Sequence, residues 1–114
     1  MYQAIILPYF KRQLKPYLKK HRDLKQAVID VLSSFDARQH DPLGGGIYKI
    51  RLKTKSIPKG KNKSFRLIVL VMEVDMFLVP MTVYFKGDAE TVSKKELNGH
   101  LQNILFELRT RTQK

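Results

Sequence analysis

Hydrophobic and polar positions between residues 44 and 86 alternate with a period of two, which is typical of β-strands. In the first stretch, Tyr48, Ile50 and Leu52 alternate with cationic side chains, so one face of this strand is predicted to be apolar and the other positively charged. We expect this strand to run from Ile47 to about Thr54. The cationic positions are Lys49, Arg51, Lys53 and, if the strand extends that far, Lys55.

A second predicted strand, from Phe65 to Val74, is apolar almost throughout. Such a run is typical of a central strand that is buried on both faces. Arg66, near its start, is the exception, because a guanidinium at the edge of a buried strand needs an anionic partner or solvent. Asp75 and Met76 leave room for a tight hairpin turn before the next strand.

The third predicted strand runs from Phe77 to Lys86. Strict alternation places Tyr84 and Lys86 on one face, together with Leu78, Pro80 and Thr82. The opposite face would carry Phe77, Val79, Met81, Val83 and Phe85. Because proline cannot donate to a strand ladder, Pro80 indicates a bulge or an unpaired position.

Helical periodicity dominates both ends of the chain. A short apolar strand, Tyr2 to Leu7, is predicted to precede Pro8, which suits the first turn of a helix. Pro16 is expected to kink that helix or to mark its boundary. A second helix is predicted from Asp23, as its cap, to Phe35, and a loop from Gln39 to Gly46.

A final helix is predicted after the sheet, since Ser93 and Glu96 have the spacing of a capping box. Its apolar stripe consists of Leu97, Leu101, Ile104, Leu105 and Leu108. The order strand, two helices, three strands, helix predicts an α+β domain. It would contain a small antiparallel sheet, an N-terminal αα-hairpin and a C-terminal helix. At 114 residues, the chain is expected to form a single domain spanning residues 1–114.

Charge adds a functional expectation to this pattern. The formal net charge is +12, and no acidic residue occurs between Pro42 and Met72. A solvated surface normally mixes both signs, so this segment is predicted to meet a polyanion, most simply a nucleic-acid backbone. The cations of the segment are Lys49, Arg51, Lys53, Lys55, Lys59, Lys61, Lys63 and Arg66.

Composition excludes several other classes of protein. There is no cysteine, which excludes disulfides and thiolate metal sites and is consistent with a reducing cytoplasm. No run of 18 apolar residues occurs, so we expect no membrane-spanning helix.

Several short motifs in this order resemble the RelE/HigB branch of the RelE–ParE toxin superfamily. The motifs are Gly46 to Leu52 (GIYKIRL), Lys59 to Lys61 (KGK), Arg66 to Val69 (RLIV), Val83 to Lys86 (VYFK) and the early Phe10 to Lys15. The resemblance covers nearly the whole chain. It implies a small basic toxin of a type II toxin–antitoxin pair, which cleaves mRNA, usually in the ribosomal A site, and which a small antitoxin neutralises. It also implies a cytoplasmic protein without metal or cofactor.

The resemblance implies site residues on the predicted strands. Lys49 and Arg51 match the basic strand positions of a RelE-like site, and Arg66 matches the arginine that opens the following strand. Two arginines suit a phosphate group, because each guanidinium fork binds two oxygens. In RNA cleavage without metal, the 2′-OH attacks the adjacent phosphate and the 5′-oxygen leaves, so preorganised cations stabilise the developing charge.

A base and an acid are also required. Tyr84 and Lys86 match a tyrosine–lysine pair at the end of the last strand, and Lys61 matches the lysine of the Gly-Lys loop motif. Neighbouring cations are expected to lower the pKa of a tyrosine or lysine, so Tyr84 or Lys86 is a candidate base. Lys49 or Lys61 is a candidate acid. The lysines expected to bind RNA without acting in the chemistry are Lys53, Lys55, Lys59 and Lys63.

Two other functions remain open on the sequence alone. A ParE-like toxin would poison gyrase with the same fold, but it needs no basic catalytic set. A non-catalytic module would bind nucleic acid through phosphate contacts, with strong salt dependence and without cleavage.

Overall fold

The computed structural model describes residues 2–54, 64–86 and 92–111. Five strands and three α-helices lie within these ranges. In chain order they are β1 (Gln3–Ala4), α1 (Pro8–Leu18), α2 (Leu24–Ser33), β2 (Asp41–Gly44), β3 (Ile47–Leu52), β4 (Phe65–Met72), β5 (Phe77–Phe85) and α3 (Lys94–Arg111). None of the helices in the described ranges has the length and apolar character needed to cross a bilayer.

The strands form one sheet in the order β1-β5-β4-β3-β2. The β3–β4 and β4–β5 pairs are antiparallel, as expected. The additional β2–β3 pair is also antiparallel, whereas β1 is parallel to β5, which makes the sheet mixed. The prediction that β4 is central is confirmed, and all of its residues except the last are buried. The α+β class and the order of the predicted elements are also confirmed.

Helices α1 and α2 cover one face of the sheet. The apolar side of β3, which consists of Tyr48, Ile50 and Leu52, packs there with Phe10 of α1 and Leu24 of α2. Burial of these side chains follows from the period-two pattern of β3 and the helical stripes of α1 and α2. The cationic side of β3 therefore points to the other face.

Helix α3 covers only part of that other face. Its stripe packs on Ile47 of β3, Ile68 and Leu70 of β4, and Val79 of β5. The predicted capping box is confirmed, because the Glu96 amide donates to Ser93 Oγ at 3.1 Å and the Ser93 amide donates to Glu96 Oε1 at 3.3 Å. The end of the sheet that carries the cations lies beyond this apolar stripe.

Polar contacts join α1 to α3 at the edge of the sheet. A hydrogen bond of 2.6 Å links the Tyr9 hydroxyl to His100 Nδ1, and the Tyr9 amide donates to Glu107 Oε1 at 2.8 Å. Burial lowers the pKa of His100, although Glu96 opposes this shift. These contacts tie the C-terminal helix to the start of the chain.

A bulge in β5 corrects the predicted faces of this strand. Thr82 pairs with Ile68 and Pro80 pairs with Val69, so Met81 is the extra residue. Phe77 and Val79 therefore lie on the same face as Tyr84, and not with Val83 and Phe85 as strict alternation predicted. The bulge expected at Pro80 is thus confirmed, and it is what makes the predicted alternation wrong.

Smaller differences concern the edges and ends of elements. A turn of 3-10 helix (Ala37–Gln39) ends at the start of the segment Gln39–Gly46, which was predicted as a loop and contains β2. The first strand is shorter than predicted, and β3 and β4 each end two residues early. Helix α1 continues for two residues past Pro16. Asp23 takes the cap position of α2 without a capping side-chain bond.

Three glycines shape the β2–β3 turn, and one of them is closely packed. Gly46 has φ +82°, and a Cβ built there would lie 2.8 Å from the carbonyl oxygen of Val71 in β4. Its own carbonyl accepts a hydrogen bond of 2.8 Å from the Val71 amide. A residue without Cβ is therefore required where this turn approaches the backbone of Val71.

Candidate nucleic-acid interface

Three predicted site residues lie side by side across the sheet. Arg51 of β3 pairs with Arg66 of β4, and Arg66 pairs with Tyr84 of β5. Directly opposed residues on neighbouring strands share a face, with Cβ atoms about 4.5–5.5 Å apart. The structure therefore brings both arginines and the tyrosine together on the face that α3 covers only in part. We call this set the cationic rung.

Arg66 is the most constrained member of the cationic rung. The residue is only 6% exposed, and its guanidinium donates to Ser64 Oγ and to the Phe65 carbonyl. The two ion pairs found among the described residues, Arg12–Glu107 and Arg38–Asp36, do not include it. A buried guanidinium without a carboxylate partner is a ready site for an anion.

Electrostatics support this description of Arg66. Burial lowers the pKa of Arg66 from its ordinary value, and the neighbouring charge of Arg51 lowers it further, while Tyr84 and Asp41 oppose the shift. A bound anion between the two arginines would offset both effects, because it would compensate the lost hydration and screen the repulsion.

The hydroxyl of Tyr84 is buried and has no hydrogen-bond partner among the described residues. Burial raises the pKa of Tyr84, and the charge of Arg66 opposes this only in part. The expectation that neighbouring cations pull this pKa toward neutrality is therefore wrong, because desolvation of the phenolate outweighs their attraction. At neutral pH the hydroxyl therefore keeps its proton.

Lys49 lies one step along the sheet from the cationic rung. It pairs with Ile68, two residues from Arg66 on the same face of β4, and it is half-buried. Asp41 of the edge strand β2 is its partner on the other side. Lys49 and Tyr84 both line a small cavity beneath the first turn of α3. Lys49 is thus part of the same surface as the arginines.

The remaining predicted residues lie at the margin of the site or outside the described ranges. Arg51 and Lys53 are exposed, and Lys53 follows the end of β3. Lys86 comes directly after β5 and is half-buried, with its amide donating to the Ser64 carbonyl at 2.9 Å. The predicted residues that lie outside the described residues are Lys55, Lys59, Lys61 and Lys63.

Sequence reasoning missed two contributors to this surface. Ser64, which accepts from Arg66, stands at the end of a basic segment and has no signal of its own beyond its position two residues before the arginine. Lys94 lines the same cavity as Lys49 and Tyr84, but it belongs to α3, and only the tertiary packing of that helix brings it there. Within the described part of the chain, no group of three His, Cys, Asp or Glu residues is placed to bind a metal ion.

Comparison with solved structures places this architecture among known folds. No protein-family model matches the chain, and no curated protein is similar enough to match it. A structure of an arginine-to-alanine double mutant of the E. coli toxin RelE in the free state matches with a TM-score of 0.50 and 21% identity, over 78% of this chain and 87% of that one. The chain therefore has a RelE-like fold. The intact E. coli RelBE toxin–antitoxin complex also matches, with a TM-score of 0.46 and 20% identity, over 73% of this chain and 94% of that one.

Proposed function

We propose that this chain is the toxin of a type II toxin–antitoxin pair and that it blocks translation by cleaving mRNA. The observation that carries the proposal is the cationic rung on a RelE-like fold. Its central arginine is buried, has no carboxylate partner among the described residues, and lies between an exposed arginine and a tyrosine. The motifs that resemble the RelE/HigB branch supply the same residues. The reaction would take place on one domain formed by the whole chain.

The proposed chemistry requires no metal or cofactor. The 2′-OH of one nucleotide attacks the adjacent phosphorus, negative charge accumulates on the phosphate oxygens, and the bond to the 5′-oxygen breaks. Arg66 and Arg51 bind the phosphate oxygens, because both guanidinium groups face the same side of the sheet on paired strands. Preorganised charge of this kind is usually the largest contribution to catalysis, and removing one such donor costs roughly 10²–10³ in rate.

Proton transfer is assigned from the state of Tyr84. Because burial raises its pKa, Tyr84 donates a hydrogen bond or a proton and does not serve as the general base. Lys49 is the candidate acid nearest to the cationic rung within the described ranges. Lys86 remains the candidate base, and Lys61 keeps its sequence-based assignment as an alternative acid.

The proposed partners follow from the charge and from the resemblance. An mRNA on the ribosome would meet the cations of the sheet, with Lys53, Lys55, Lys59 and Lys63 binding its backbone. A cognate antitoxin would neutralise the chain by laying an acidic segment over the same face. Both partners place the protein in the cytoplasm.

Induction of the chain in bacteria tests the proposal. The wild type is compared with the double variant Tyr84→Phe/Arg66→Ala and with Arg22→Ala, which removes one exposed arginine outside the cationic rung. New mRNA 5′ ends with growth arrest, lost in the double variant and kept in Arg22→Ala, are expected. Arrest with DNA breaks and intact mRNA would instead indicate a gyrase poison. A folded protein that causes neither arrest nor cuts would refute the nuclease.

A further inference from the structure

A cavity of about 150 Å³ lies between the cationic end of the sheet and the first turn of α3. Among the described residues, four of its lining side chains are apolar and three are polar. They are Leu43, Ile68, Val92 and Leu97, and then Lys49, Tyr84 and Lys94. The volume corresponds to about five water molecules, and it is roughly half that of the smallest sites for drug-sized ligands. The cavity suits one small ring system.

The lining favours an aromatic ring over a free ion. An inorganic phosphate in this cavity would meet the ammonium groups of Lys49 and Lys94, but it would exchange much of its hydration for four apolar walls, at a cost in free energy. A nucleobase loses little by the same transfer, because its faces are apolar and its polar groups lie along its edge. The ligand that fits is thus a flat ring whose edge reaches the polar side of the cavity.

The position of the cavity relates it to the cationic rung. Ile68, in its wall, lies two residues from Arg66 on the same face of β4, which is about 6.6 Å along a strand. Tyr84 belongs to both, since it pairs with Arg66 and lines the cavity. A nucleotide whose phosphate is bound by the arginines can therefore place its own base in the cavity.

The polar groups of the lining select the edge of that base. The ammonium groups of Lys49 and Lys94 only donate hydrogen bonds, and the Tyr84 hydroxyl has no partner among the described residues. Among the described residues of the lining there is no carboxylate or amide side chain. A base that presents keto oxygens satisfies these donors, whereas the amino group of adenine would lose its hydration with few acceptors to replace it.

We propose that this cavity is a nucleobase pocket, which seats the base attached to the scissile phosphate and prefers the keto edge of guanine or uracil. This inference rests on the proposed function, because it assigns the pocket to the same RNA. The structure thereby gives the surface two separate tasks. The arginines bind any nucleotide through its phosphate, and the cavity distinguishes one base from another.

Binding of small probes to the full chain tests the pocket without any cleavage. Uridine, guanosine and adenosine 5′-monophosphates are titrated against the chain beside ribose 5-phosphate, which has the same charged group and no base. Amide shifts in β4 and α3 report the binding. The uridine or guanosine nucleotide is expected to bind about tenfold more tightly than ribose 5-phosphate, since burial of a base typically contributes roughly that much. The adenosine nucleotide is expected to bind more weakly than the uridine and guanosine nucleotides.

A filled pocket supplies the matched control. Leu97→Trp, at a half-buried position of the lining, is expected to reduce nucleotide binding to the level of ribose 5-phosphate and to leave ribose 5-phosphate binding unchanged. Leu105→Trp, a half-buried position two turns further along α3, is expected to keep the preference for the base. Should Leu97→Trp fail to fold, Leu43→Ala tests the same wall, because Leu43 is 40% exposed on the edge strand.

The outcomes separate this inference from the proposed function. Equal binding of nucleotides and ribose 5-phosphate, in a chain that cuts mRNA, would overturn the pocket and leave the nuclease in place. Base-dependent binding in a chain that cuts no mRNA would overturn the nuclease and support the pocket. Tightest binding of the adenosine nucleotide would overturn the preference for a keto edge, and no binding of any nucleotide would overturn the pocket.

Discussion

Replacing Tyr84 by Phe should make this protein more stable and less active. The substitution deletes one oxygen, which is buried and has no hydrogen-bond partner in the described part of the chain, and it leaves the ring in place. A buried polar group without a partner costs about 1–3 kcal/mol, so its removal should raise the free energy of unfolding by about 1 kcal/mol. For a domain of this size, that corresponds to a rise in Tm of roughly 4 °C.

The same substitution at Tyr9 provides a control of opposite sign. The hydroxyl of Tyr9 makes a hydrogen bond of 2.6 Å with His100, so Tyr9→Phe breaks a bond and leaves a half-buried histidine nitrogen without its partner. We expect a loss of about 1 kcal/mol from this change. Urea denaturation of the wild type and both variants measures the two effects, provided that the m-values agree.

Two results would refute the reasoning about Tyr84. A loss of stability of about 1 kcal/mol in Tyr84→Phe would show that its hydroxyl is hydrogen-bonded in solution, because removal of a buried hydroxyl without a partner should stabilise the fold. A gain in stability with unchanged mRNA cleavage would instead refute the role of the hydroxyl as a donor to the RNA.

Alkaline titration adds an independent check on Tyr84. Because its pKa in the folded state is raised above the ordinary value of 10.0, the unfolded chain loses this proton first. The associated stability is present below pH 10.0 and is lost as the pH rises through the folded pKa. Tyr84→Phe should therefore reduce the loss of stability above that pH.

Three further substitutions test the fold. Gly46→Ala should cost about 1–3 kcal/mol in chemical denaturation, because it combines positive φ with a clash against a β4 carbonyl, while Gly45→Ala, also at positive φ but in open space, should cost less. Ser93→Ala removes half of the capping box and should lower the free energy of unfolding by about 1 kcal/mol, and an unchanged value would show that α3 does not need its cap. His100 has a pKa lowered by burial, so its contribution is present above pH 6.5 and is lost as the pH falls through the folded pKa. His100→Gln should flatten that acid dependence in denaturation at several pH values, and an unaltered slope would contradict the assignment.

Strong local patterns predicted most of the sheet. The apolar run of β4 identified the central strand, and the period of two in β3 identified the face that carries Lys49 and Arg51. The one residue that broke the apolar run, Arg66, is at the centre of the candidate site. These features can be predicted because a buried strand and a charged position each determine the residue types of a short segment.

Features that depend on tertiary packing could not be predicted from the sequence. Strand β2, with the sequence DPLG, pairs with β3, and its Asp-Pro and Gly residues are typical of a loop. The pKa of Tyr84 depends on how deeply α3 and the sheet bury its hydroxyl, and no spacing of cations along the chain contains that information. The contribution of Lys94 to the cavity likewise depends on the packing of α3 on the sheet.

The bulge in β5 makes the length of this strand as important as its composition. With Met81 as the extra residue, the first half of the strand presents Val79 to α3, and the second half presents Tyr84 to the same side. Deletion of Met81 would remove the bulge and leave a regularly alternating strand, in which Thr82 still pairs with Ile68 and Tyr84 still lies beside Arg66. A chain without the bulge therefore presents the same faces with one residue fewer in this strand. Related chains can thus be aligned correctly along β5 only if this residue is counted, and a match of apolar positions alone would pair Tyr84 with a core residue of the other protein.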